Sequence, residues 1–378
     1  MRFFNIDLHI GVIGDIKRIL HALGHDVTDW TLSSHAWVIG RTPHRVEIVN
    51  ETTWREIDRS MCDAFYKRYK SEFEQYDAFI VTHTPSFAML YERWGKPVIC
   101  VASTRYEAPF YSDRKKWEEF NNYLRRQIDC GMLIPIANNK YDSAYAEYFT
   151  GRKWKVIPSL CEYTNAHYSG KRSDSLYFSK FPLQRAIPGL VSKEAHFKPG
   201  LFRRAAGKLG FKMGRRGYSW DEIASFGSVV YVPYNASIMS IFEMYASGIP
   251  MLFPSLPFAL ELYAEHRQEG VFSELSYNQI YHLPPRSAIP SDSLDPNNYE
   301  NSDAMAHWIA KSDFYDADNL KHLVYFDSFD ELAELLDRMD PEQIHHQMRE
   351  HQRLRSARSH EMWANVVQNL VAVGAGVS

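Results

Sequence analysis

Short unbroken apolar runs recur along this chain, separated by longer amphipathic stretches. The first half has residues 2–8, 77–81 (DAFIV), 96–102 (KPVICVA), 133–137 and 155–159; the second has 176–178, 186–192, 229–232, 251–254 and 322–326. Continuous runs, rather than alternating ones, suit strands buried on both faces of a parallel sheet. Helical periodicity fills the intervals: to about residue 23, then over 53–73, up to Gly95, 111–129, 139–149, from near Ser237, up to Met339, and 341–370. Strand–helix alternation of this kind predicts an α/β chain built from Rossmann-like sheets.

Residues 229–255, VVYVPYNASIMSIFEMYASGIPMLFPS, carry the most information. A β-branched strand leads through the turn residues 233–237 into a helix expected to start near Ser237. Gly248 ends that helix and Pro250 opens the next strand. The first amides, around Ser237, Met239 and Ser240, would be unpaired donors at the positive end of a helix dipole, which suits a diphosphate. Glu243, one to two turns further in, could reach a ribose held beyond them.

This stretch resembles the donor-sugar segment of GT-B glycosyltransferases, whose retaining members carry Glu, seven residues, Glu, and then a small-residue–Gly–x–Pro turn. The second Glu aligns with Glu243 and the turn with 246–250, while Asn235 stands at the first Glu. The resemblance implies two Rossmann-like domains facing a central cleft, with Glu243 on the donor ribose. Asn235 departs from the pattern at the position near the sugar, which leaves the sugar and the stereochemical outcome open.

The amino-terminal half supplies the other expected wall. Residues 9–15 (HIGVIGD) read as a loop after the first strand, where Gly11 and Gly14 would let a substrate approach the backbone. His9 and Asp15 flank it as base, binding group or cap. Thr82-His83-Thr84-Pro85 and Ser103-Thr104-Arg105-Tyr106-Glu107 follow two successive strands, at the carboxyl ends where open α/β sheets place ligands. His83 is the leading candidate base, since an imidazole titrates near neutrality. Thr84 and Arg105 are acceptor-side candidates, with Arg105 suited to a phosphate or carboxylate.

Length and composition change the picture little. At 378 residues, 45% hydrophobic and 14% aromatic, the chain suits two α/β domains with sizeable cores. A net charge of −3 gives no global footprint for nucleic acid. Cys62, Cys100, Cys130 and Cys161 are too scattered for a zinc site or a disulfide framework. No run reaches the length of a membrane span and the start lacks a signal-peptide pattern, so the expected compartment is the cytoplasm.

The expected domains are 1–160, 161–345 and a final helix over 346–378 that returns toward the first. Residues 162–217 are rich in Lys, Arg, Gly and aromatics, and the resemblance makes Lys180 and Lys193 candidates for the donor diphosphate. Residues 278–303 read as a long loop. Asp316-Ala317-Asp318 lacks the preceding apolar strand that a metal-binding Asp-x-Asp would have.

The expected activity is metal-independent transfer of a sugar from a nucleotide sugar, of UDP or GDP type, to a glycan or other hydroxyl acceptor. No cofactor beyond that co-substrate is expected, and Asn235 joins His83 and Asp15 among the residues near the chemistry. Two alternatives stay open: a nucleotide-sugar epimerase of the same architecture, or a non-catalytic binder of glycan or nucleic acid.

Overall fold

A computed structural model describes residues 1–33, 36, 41–182, 219–285 and 294–375. Lys193, the expected strand over 186–192 and part of the 278–303 segment lie outside them. The chain divides into two compact units, Met1–Tyr163 with Ser356–Ser378, and Thr164–Arg355. Each is built on a parallel sheet, so the fold class is α/β with two Rossmann-like domains.

In the first unit the elements are β1 (Arg2–Asp7), α1 (Ile10–Ala22), β2 (Asp26–Thr31), α2 (Arg59–Phe73), β3 (Ala78–Thr82), α3 (Ala88–Tyr91), β4 (Val98–Ala102), α4 (Arg114–Asp129), β5 (Leu133–Ala137), α5 (Lys140–Thr150) and β6 (Lys155–Val156). All six strands are parallel, in the order β2-β1-β3-β4-β5-β6. The chain thus reverses its winding between β1 and β3, which creates a topological switch point at their carboxyl ends.

Strands β3 and β4 are buried along their whole length, as their uninterrupted apolar sequences require. Aromatic side chains pack α2 and α3 against this sheet. Phe4 lies 4.1 Å from Phe73, and Phe79 stacks on Tyr91 at 4.2 Å between ring centroids. Each such ring removed from water contributes on the order of 1.5–3 kcal/mol.

The second unit has β7 (Ser175–Tyr177), α6 (Trp220–Ile223), β8 (Ser228–Val230), α7 (Met239–Ser247), β9 (Met251–Pro254), α8 (Leu256–His266), α9 (Tyr277–Ile280), α10 (Ser302–Ile309), β10 (Val324–Phe326) and α11 (Phe329–Arg338). Its four described strands are parallel in the order β10-β9-β8-β7. The last helix, α12 (Pro341–Ala375), gives its residues up to Arg355 to this unit and those from Ser356 to the first.

Two expectations are corrected. Residues 9–15 are not a loop: His9 is the N-cap of α1, and Gly11, Gly14 and Asp15 lie inside that helix. The 278–303 segment is not wholly loop either, since α9 ends within it and α10 begins there. Tertiary packing accounts for the differences: α1 lies on β1 and β2, and α10 on α8.

Candidate functional site

The switch point of the first unit gathers polar side chains from three strand ends. Asp7 closes β1, and its Oδ1 accepts the backbone N–H of Leu8 and, at 3.0 Å, that of His9. His83 follows β3 with a left-handed φ of 52°, a conformation unusual for a residue with a side chain. The His9 and His83 rings lie 4.9 Å apart between centroids, tilted by 36°. Thr84 and Arg105 are both buried nearby in sequence, after β3 and β4.

Burial keeps His83 and Asp7 in their neutral forms at this edge. Burial, reinforced by the positive charges of His9 and Arg105, holds the His83 imidazole well below its ordinary pKa. His83 is therefore neutral at physiological pH, and its buried Nδ1 has no hydrogen-bond partner among the described residues. Burial also raises the Asp7 carboxyl well above the usual carboxylate range, against the opposing effect of its two amide donors.

Asp15 and Gly11 occupy different surroundings from those expected of a substrate loop. Asp15 accepts the N–H of Leu160 at 2.9 Å and of Cys161 at 2.7 Å, tying α1 to the segment after β6. Burial raises it to about 6 even so. A Cβ on Gly11 would meet the Tyr163 hydroxyl at 2.8 Å and His9 Cε1 at 3.2 Å. The close approach that the glycine permits is thus made by side chains of the same unit.

In the second unit, α7 follows β8 through a turn in which Asn235 Oδ1 accepts the Ser237 N–H at 3.4 Å. The helix starts at Met239, later than Ser237, and its N-cap is Ile238, which makes no side-chain cap. Ser237, Met239 and Ser240 are half-buried around that start. Glu243 sits in the second turn, only 7% exposed, and its backbone carbonyl accepts the Ser247 hydroxyl at 2.9 Å.

Gly248 ends α7 at φ 75°, and a Cβ there would lie 2.6 Å from both His345 and Arg349. Those side chains belong to α12. His345 Nδ1 donates to the Gly248 carbonyl at 2.7 Å and Arg349 to that of Ala246, so the basic face of α12 caps the negative end of α7. Lys180 pairs with Glu274 and lies 3.9 Å over the Tyr234 ring, which engages the charge expected at a diphosphate.

No protein-family model and no curated protein matches the chain. Among solved structures it is similar to CalG4, the calicheamicin glycosyltransferase, at 12% identity over 98% of each chain with a TM-score of 0.40. It is also similar to the glycosyltransferase SnogD from Streptomyces nogalater, at 14% over 96% of this chain and 99% of that one, TM-score 0.42. A UDP-N-acetylglucosamine 2-epimerase compares at 13% over 84% and 95%, TM-score 0.40. The reading of both units rests on their own strand order and register.

The structure brings His9, His83 and the strand ends bearing Thr84 and Arg105 to one sheet edge, and Asn235, Ser237, Met239, Ser240 and Glu243 to one strand–helix turn. Sequence reasoning missed Asp7 and Glu107. A carboxylate closing an apolar strand was the available signal for Asp7. Glu107 is fully buried with Oε1 accepting from the Tyr145 hydroxyl at 2.7 Å, and only packing reveals that. Among the described residues, no three His, Cys, Asp or Glu side chains are placed to hold a metal ion, and no helix is long and apolar enough to cross a membrane.

Proposed function

We propose that this protein transfers a sugar from a nucleotide sugar to a hydroxyl acceptor, with donor recognition on the second unit and acceptor activation on the first. The observation that carries the proposal is α7, a helix that follows a buried parallel strand and holds a buried carboxylate in its second turn. Its leading N–H groups and dipole favour a diphosphate, and Glu243 is at the depth of a ribose.

In the reaction, the acceptor oxygen forms a bond to the anomeric carbon while the bond from that carbon to the diphosphate oxygen breaks. Charge growing on the departing diphosphate is stabilised by the α7 amides. In an inverting reaction, the neutral His83 imidazole takes the acceptor's proton.

A panel of UDP, GDP, ADP and CDP sugars in thermal unfolding tests the donor assignment. A ligand at about a hundred times its Kd adds about 2.7 kcal/mol of stability. Glu243→Gln should weaken the stabilising nucleotide about tenfold, the loss of one hydrogen bond to a charged group. Unchanged affinity in a folded variant would refute the ribose role. Epimerisation is the second reading, favoured by the pairing of two imidazoles on one edge. It predicts an altered nucleotide sugar when donor is incubated alone.

A further inference from the structure

We propose that Asp7 is the positioning residue of the imidazole edge, its carboxyl group holding the His9 backbone so that the His9 ring lies against His83. Asp7 has no exposed surface, so it acts through His9 rather than on a substrate. Two consecutive N–H groups, of Leu8 and His9, converge on its Oδ1 and close the turn between β1 and α1. His9 begins that helix with φ −129° and ψ 102°, and its own side chain makes no capping hydrogen bond. The Asp7 oxygen is thus the acceptor that sets where the His9 Cα, and with it the ring, leaves the sheet.

The opposite ring is fixed independently. In the parallel pairing of β1 and β3, Phe3 stands beside Ala78 and Asn5 beside Ile80, and Asp7 and Thr82 each end their strand two residues further on. His83 follows at once in its left-handed conformation, where the Thr84 N–H bonds back to the Thr82 carbonyl. Both rings therefore rise from one pair of neighbouring strand ends, each held by a tight local hydrogen bond. Asp7 Oδ2 is buried without a hydrogen-bond partner among the described residues. Such a group is costly to keep, and sites of this kind cluster where geometry serves function.

The kinetic consequence rests on the glycosyl-transfer reading, whereas the geometric one does not. The experiment therefore reads the rings directly, by imidazole nitrogen spectra of the full chain with labelled histidine, from pH 5 to 9. His9→Gln and His83→Gln assign their two signals among the 16 histidines. Asp7→Asn keeps an acceptor oxygen for both amides and should leave both signals in place. Asp7→Ala should move both, the His9 signal by displacement of its ring and the His83 signal through the changed neighbouring ring, with nucleotide-induced stabilisation unchanged.

If the reaction is transfer, kcat of Asp7→Ala falls on the order of a hundredfold at unchanged donor KM, as for a displaced catalytic group, and Asp7→Asn restores it. Unmoved signals in Asp7→Ala overturn the proposal, as does an Asp7→Asn shift equal to that of Asp7→Ala. Should Asp7→Ala not fold, Asp7→Val, which also offers no acceptor and better fills the buried space, takes its place in that comparison. Loss of nucleotide binding with both signals intact would count against the transferase reading alone.

Discussion

The carboxyl group of Glu107 is buried behind β4, with one oxygen on the Tyr145 hydroxyl and the other without a hydrogen-bond partner among the described residues. Burial pushes it up to about 7, outweighing the Tyr145 bond and the nearby Arg105 charge. Between its ordinary value and about 7 the folded state holds a proton that the unfolded chain has lost, so stability falls as pH rises through this window. His83 works in the opposite direction. Its imidazole stays neutral in the fold, so below about 6.5 the unfolded chain takes up a proton that the native state refuses, and stability is lost as pH falls. Glu107→Gln keeps an acceptor for Tyr145 and removes the first effect. Its stability relative to wild type should rise by about 3 kcal/mol between pH 5 and pH 8. Urea unfolding at the two pH values measures this, and a constant difference would sink the assignment.

Among the elements, α7 shows how much a helix depends on what meets its two ends. Its strand, turn, glycine stop and following strand are all legible from the apolar run at 229–232, the turn residues and Gly248. Its start is two residues later than the sequence suggests, because the Asn235 turn takes the Ser237 amide first. Its far end is decided by α12, whose His345 and Arg349 capture the last carbonyls from about a hundred residues away. Gly248→Ala would force a side chain both into a left-handed φ and onto those two residues. It should cost roughly 2 kcal/mol, seen as a lower denaturation midpoint at unchanged slope. A midpoint equal to wild type would mean that α12 gives way freely. The amino-terminal counterpart is α1. Its glycines suggested a loop, yet Tyr163 fills the space beside Gly11 and Asp15 fastens the helix to the segment after β6.

For the whole molecule, the proposed division of labour between units gives a separable test. His83→Gln alters only the first unit's sheet edge, so nucleotide-sugar stabilisation should persist while turnover drops by about two to four orders of magnitude, the range for a lost general base. Turnover should also survive a chelator, since helix amides are assigned the electrostatic role on the diphosphate. Loss of donor binding in His83→Gln, or strict metal dependence, would contradict that assignment. What the sequence alone determined is local: buried parallel strands from apolar runs, helices from their periodicity, the glycine stop of α7, the strand ends followed by His83 and Arg105, and Glu243 on the helix after β8. These follow from patterns repeated over a few residues. The tertiary structure decided the rest: the His9–His83 pairing, the burial of Asp7, Asp15 and Glu107, the engagement of Lys180 by Glu274, and the use of α12 as a cap. Each depends on groups distant in the chain meeting in a low-dielectric interior, where burial sets charge state and a single acceptor oxygen can fix a turn.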